Sequence, residues 1–216
     1  MATRNNLIIR RDINRLNDLI AARGAKVPAL QAIADVISPA AQKVNTAWQT
    51  FQAASVSGDK EREERDTAIG ELVKWIQLWR PVVLIRVPGA ESNLKILPAS
   101  GATPDDVIRV AEDMQEFINS NPSTESIREI TGSSLSALLE SAKKENNEAV
   151  DALPMENQCM ANFSEACTAA NTVLVPGLNI VRTAFGPTSR EYKQFIARNS
   201  GNDDDEDKDE EGQTYY

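Results

Sequence analysis

The sequence predicts an all-α protein: an elongated up-and-down helical bundle, divisible into two tandem helical hairpins, with a disordered acidic C-terminal tail. Three observations lead there. Apolar residues recur at spacings of three and four over most of the chain, as amphipathic helices require. Pro and Gly punctuate those stretches in a repeated cadence of helix starts and stops. Aromatic residues make up only 5% of the chain, while Ala, Glu, Asn and Ser are plentiful, which suits helices packed through small and aliphatic side chains. At 216 residues, 41% apolar and 25% charged, the chain can bury one real core, or two small ones sharing a bundle.

Residues 1–26 read as a basic amphipathic helix. Arg4, Arg10, Arg11, Arg15, Arg23 and Lys26 stand against Asp12 and Asp18, and Leu7, Ile8, Ile9, Ile13, Leu16, Leu19 and Ile20 form its apolar side. The two acids dilute a membrane-binding face, so a helix lying on the bundle is the expected arrangement. The pattern lacks the unbroken apolar core of a signal peptide, and no stretch approaches the roughly 20 apolar residues that span a bilayer, so a soluble, cytoplasmic protein is expected.

Residues 27–199 make the bundle, with halves at 27–99 and 103–199. Gly24 ends the first helix and Pro28 opens the second, which should run to about Val56 on Leu30, Ile33, Ile37, Ala41, Val44, Trp48 and Phe51. Pro39 either kinks it or marks a fresh start. Ser57-Gly58-Asp59 reads as a turn, with Asp59 capping a third helix built on Ile69, Leu72, Val73, Ile76 and Trp79 and continuing past Pro81 to about Val87. The β-branched run Val82–Val87 could instead pair with Leu94–Leu97 as a hairpin. Thr103-Pro104-Asp105-Asp106 opens a short helix to about Asn119. Asn121-Pro122 opens another to about Leu153, with Ile127, Ile130, Leu135, Leu138, Leu139, Ala142 and Val150 inward. Pro154 should begin the next, whose apolar side runs from Met155 and Cys159 through Phe163 to Val181 and Phe185 and which Pro176-Gly177 should kink or break. A last short helix fits Ser189–Arg198. Gly89-Ala90-Glu91-Ser92 and Gly186-Pro187-Thr188-Ser189 stand 97 residues apart, and that shift also aligns the helices before them, the mark of a weak duplication.

Of the net charge of −9, residues 200–216 hold a large share: eight acids from Asp203 to Glu211 against Lys208 alone. Such a segment has no apolar partner to offset ordering and is expected to be disordered and solubilising.

Chemistry is bounded mostly by absence. The chain has no histidine, which removes the usual general base, the commonest metal ligand and the Glu-x-x-His pairs of di-metal bundles. Cys159 and Cys167 lie eight residues apart on one helix, about 12 Å, too far for a disulfide, and read as small core residues. Ser57, Ser92 and Ser141 each precede a lysine by three, but a two-position pattern without supporting motifs does not specify a nucleophile. No phosphate-binding or dinucleotide loop is present. The expectation is a non-enzymatic protein with no catalytic, cofactor-binding or metal-binding residues, no cofactor and no small-molecule substrate.

The segment Phe185-Gly186-Pro187-Thr188-Ser189-Arg190-Glu191-Tyr192 resembles a phrase near the C-terminus of uncharacterised bacterial all-helical bundle proteins, in which a helix ends at Phe-Gly and a Ser-x-Glu-Tyr turn follows. The resemblance implies a helical bundle and brings no catalytic residues with it.

A candidate interaction patch comprises Trp79, Arg80 and Arg86 with Phe185 and Tyr192. Its rival for Trp75 and Trp79, one turn apart, is core packing, which the large area of tryptophan favours. The expected function is a structural or protein-interaction bundle that binds itself or another protein. The alternative is a membrane-active or pore-forming bundle in which Val82–Val87 unpacks onto lipid. Nucleic acid is not expected as a partner, because the chain outside the tail is near neutral and lacks a basic stripe beyond the first helix.

Overall fold

The computed structural model describes residues 2–97 and 101–196, and over them the chain is all-α. Its helices are α1 (Ala2–Arg23), α2 (Pro28–Gln31), α3 (Ala34–Arg86), α4 (Pro104–Ser120), α5 (Glu125–Phe185) and α6 (Arg190–Ile196). Short 3₁₀ turns stand at Gly24–Lys26, Ala90–Ser92 and Pro122–Thr124. No strand occurs among the described residues, so the stretch 82–97 is helix to Arg86 and then a 3₁₀ turn, not a hairpin. The acidic tail at 200–216 lies outside the described residues.

The two long helices correct the predicted boundaries. Neither the turn at Ser57-Gly58-Asp59 nor the break at Pro154 exists, and Pro176-Gly177 does not interrupt α5. Proline inside a helix removes one i→i−4 bond and crowds the carbonyl four residues back. All four internal prolines, Pro39, Pro81, Pro154 and Pro176, are exposed, and so are the residues four before them, Asp35, Gln77, Val150 and Thr172. The unpaired carbonyls therefore face water, and the buried side of each helix keeps its bonds. That buried side repeats every seven residues without a slip. On α5 it runs Leu135, Ala142, Ala149, Glu156, Phe163, Ala170, Gly177, and on α3 Ile37, Val44, Phe51, Gly58, Arg65, Leu72, Trp79, all buried or half-buried. Gly58 stays helical because it sits on that seam: a Cβ there would lie 3.2 Å from Glu156 Oε2. Glu156 in turn accepts a hydrogen bond from Arg62 Nη1 at 3.2 Å, a polar layer within the apolar repeat. Three residues predicted to face inward, Ile130, Val150 and Met155, are more than half exposed because this repeat does not include them.

Helix ends are set locally. The two Gly-x-x-Ser segments share two features: Gly89 and Gly186 have φ of 89° and 90°, and the Ser92 and Ser189 hydroxyls donate to the carbonyls of Gly89 and Gly186. Each glycine lies just beyond the end of a long helix, where a left-handed residue lets the chain turn away. Ser189 Oγ then accepts from Tyr192 N at the start of α6.

Helix α4 opens with a capping box. Thr103 Oγ1 accepts from Asp106 N at 3.2 Å, and the Asp106 carboxylate accepts from both Thr103 N and Thr103 Oγ1. These bonds, with Arg109 nearby, hold the Asp106 carboxyl below its ordinary value. Because the folded pKa is the lower one, the contribution is present above the unfolded carboxylate range and fades as pH falls through the folded value. Thr103→Ala should therefore cost about 1 kcal/mol in urea melts monitored by circular dichroism. The difference from the unmodified protein should shrink in acid.

The chain folds into two compact units. The terminal unit takes residues 1–49 and 161–216, and the central unit takes 50–160, so each draws a segment from α3 and from α5 instead of matching the halves 27–99 and 103–199. In the terminal unit, Ile13, Leu16 and Ile20 of α1 are buried, as are Ile37 and Val44 of α3 and Phe163, Ala170, Leu174 and Val181 of α5. Asn14 and Asn45 exchange side-chain hydrogen bonds at 2.8 and 3.0 Å. In the central unit, α4 buries Val107, Val110, Ala111, Met114 and Ile118 in one cluster with Leu72, Ile76 and Val83 of α3 and Leu135, Leu139 and Ala142 of α5.

Candidate interaction surfaces

The residues of the predicted patch divide between the units. Trp79, Arg80 and Arg86 belong to the central unit, Phe185 and Tyr192 to the terminal one. Trp79 is half-buried against the central core and stacks on Trp75, with ring centroids 6.0 Å apart and planes at 28°. Trp75 is 8% exposed, so this pair packs the core. Arg80 Nη2 donates to Leu94 O at 3.4 Å and ties the segment after α3 back to the helix. Arg86 is exposed, whereas Phe185 and Tyr192 are half-buried.

What sequence reasoning missed is the opposite side of the same helix. Leu78 and Ile85 are 66% and 79% exposed, and Pro81 between them is exposed as well. At about 100° per residue, Leu78 points roughly 200° away from the buried Ile76. The signal was available: Leu78 and Ile85 are seven apart and out of phase with the inward stripe. Lys74, Gln77 and Arg86, all exposed, flank them.

A second group is acidic. Carboxylate oxygens of Glu61 on α3 and of Glu145 and Glu148 on α5 lie within 4.8 Å of one another. The Lys144 ammonium bonds Glu145 Oε1 at 2.9 Å and Glu148 Oε2 at 3.0 Å, and these bonds push its pKa upward. A lysine that stays charged supplies the neutralisation that a cation would, so the cluster is accounted for as an ion-pair network. Glu145 and Glu148 were recognisable from their i,i+3 spacing. Glu61, 84 residues earlier, was not.

Cys159 and Cys167 are buried and free, and Cys167 Sγ donates to Asn6 O at 3.4 Å. Burial pushes the Cys167 thiol up to about 11 against the pull of Arg10, which leaves it protonated near neutrality. No helix among the described residues is long and apolar enough to cross a membrane. Comparison with protein-family models, with curated proteins and with solved structures finds no match to this chain.

Proposed function

We propose that this chain is a non-enzymatic helical bundle that associates with a second copy of itself through the outward face of α3 in the central unit. The observation that carries the reading is the exposed apolar stripe Leu78, Pro81 and Ile85, spaced three and four apart on a helix whose other side is already packed. Such a stripe matches the helix-to-helix mode of recognition. Closed two-fold pairing is the commonest way for a surface to satisfy itself. An antiparallel arrangement centred between Pro81 and Val82 brings Leu78 of one copy to Ile85 of the other. It also keeps the two copies of Arg86 about 13 Å apart and the two copies of Lys74 further still, beyond the ~8–10 Å over which exposed charges repel at physiological salt. A parallel pairing would set those bases side by side.

The membrane-active alternative has less support. It asks Val82–Val87 to turn onto lipid, yet Val83 is fully buried and Val82, Leu84 and Val87 pack on the central core.

Light scattering during size exclusion should give twice 23.7 kDa for the intact chain. Leu78→Asp combined with Ile85→Asp, both on exposed positions, should return it to 23.7 kDa with unchanged circular dichroism. A 23.7 kDa particle at every concentration would remove self-association through this face.

A further inference from the structure

Charge is sorted between the central unit and the described part of the terminal unit in a way that the total conceals. Residues 50–160 carry nineteen Asp and Glu against eleven Lys and Arg, whereas residues 1–49 with 161–196 carry ten bases against five acids. Within the terminal unit Arg23, Lys26, Lys43, Arg182, Arg190 and Lys193 are all exposed, and none of them forms an ion pair among the described residues.

Five of the six gather at one end. Helices α1 and α5 run parallel in this unit with a constant offset of 161 residues, since Asn6 O meets Cys167 Sγ and Leu16 meets Gly177. Arg182 is thus level with residue 21 of α1, and the two helices finish together at Arg23 and Phe185. Lys26 follows in the next turn of chain. Helix α6 returns along α1, where Arg15 Nη1 donates to Gln194 O at 3.0 Å, so Arg190 and Lys193 stand within about 12 Å of that end along α1. Arg23 and Arg182 suit the negative ends of their helices, which accounts for them structurally. Arg190 does the reverse: it opens α6, where a helix dipole disfavours a cation. Helix ends thus account for Arg23, Arg182 and Lys193, which stands in the last turn of α6, but not for Arg190.

We propose that the acidic segment Asp203–Glu211 of the same chain docks on this basic end, formed by Arg23, Lys26, Arg182, Arg190 and Lys193. The segment and the surface have opposite charge, and the chain leaves α6 at Ile196 beside α1. Seven residues in extended form reach about 23 Å, while Arg23 lies only about 12 Å along α1 from Arg15, so the first acids arrive without strain. Every side chain from Asp203 to Glu211 is charged, which makes charge the attraction and salt its antagonist.

Zero-length carbodiimide crosslinking of the intact chain at low salt, on an equal mixture of 14N and 15N protein read by peptide mass spectrometry, tests this. Lys26 and Lys193 should link to residues 203–211 within one copy, and those links should fall at least fivefold in 0.5 M NaCl. Arg23→Glu with Arg182→Glu should cut the Lys26 links by a similar factor; Arg190→Glu, a single exposed change, should do so for the Lys193 links if the double variant does not fold. Mixed-isotope links would assign the tail to a second copy and overturn the proposal. So would tail acids that link to Lys60, Lys74 and Lys95 as often as to Lys26, or links that survive the charge reversals unchanged.

Discussion

Replacing Phe163 by alanine is expected to lower folding stability by about 3–5 kcal/mol, the largest loss from any single truncation in the terminal unit. Phe163 has no exposed surface and is the bulkiest fully buried side chain among the described residues. Its ring lies 5.0 Å from that of Trp48, tilted by 51°, and the Arg10 guanidinium covers the Trp48 ring at 5.0 Å. The change therefore removes buried apolar area, leaves a cavity between α3 and α5, and strips Trp48 of an aromatic partner worth ~0.5–1.5 kcal/mol in itself. Urea unfolding followed by tryptophan fluorescence measures all of this. A midpoint shift equivalent to under ~1 kcal/mol would mean that the site collapses onto the space, at odds with the close packing of Phe163. Ile37→Val in the same core, which deletes one methylene, sets the scale at about 1 kcal/mol.

Phe163 also shows how much of this fold was legible. The all-α class, the first helix, the Thr103 cap and the paired Gly-x-x-Ser turns could all be read because each is a local signal whose residues touch within a turn of chain. The long helices are not legible locally, because Ser57-Gly58-Asp59, Pro154 and Pro176-Gly177 each read as punctuation. The seven-residue phase from Leu135 to Gly177 carries across both Pro154 and Pro176, and proline on an exposed face leaves it intact. Gly58 misleads for a different reason: in sequence it reads as a turn former, but its missing side chain makes room for Glu156, nearly a hundred residues away. The interaction surface was half legible. Trp79 was conspicuous but faces the core, whereas Leu78 and Ile85 stood out only once the phase of the buried side was known. The sorting of charge was hidden because the described part of the terminal unit, which is basic, is assembled from residues 1–49 and 161–196, and a running count along the sequence never isolates it.

Gly177 provides the sharpest test of the helix seam. A Cβ added there would lie 2.6 Å from Leu16 Cδ2, with Ile37 Cδ1 at 3.7 Å and Ile33 Cδ1 at 3.8 Å. Two effects oppose each other when Gly177 becomes alanine. Helix propensity favours the change by about 1 kcal/mol. Overpacking disfavours it by about 1–3 kcal/mol when the neighbour cannot move aside. Leu16 has no exposed surface, so its methyl cannot swing into water, and the overpacking term should win. Gly177→Ala is thus expected to destabilise modestly, and Gly177→Leu, which drives three further carbons into the same space, by about 3 kcal/mol or more. Gly70 on α3 separates the two effects, because nothing lies within 4 Å of its would-be Cβ. Gly70→Ala should therefore stabilise the protein by about 0.5–1 kcal/mol through propensity and unfolded-chain entropy alone. Opposite signs for these two alanine substitutions, read from urea midpoints at constant m-value, would establish that α1 and α5 meet through Gly177. If both stabilise, Leu16 has room to retreat and the contact is looser than the 2.6 Å approach implies.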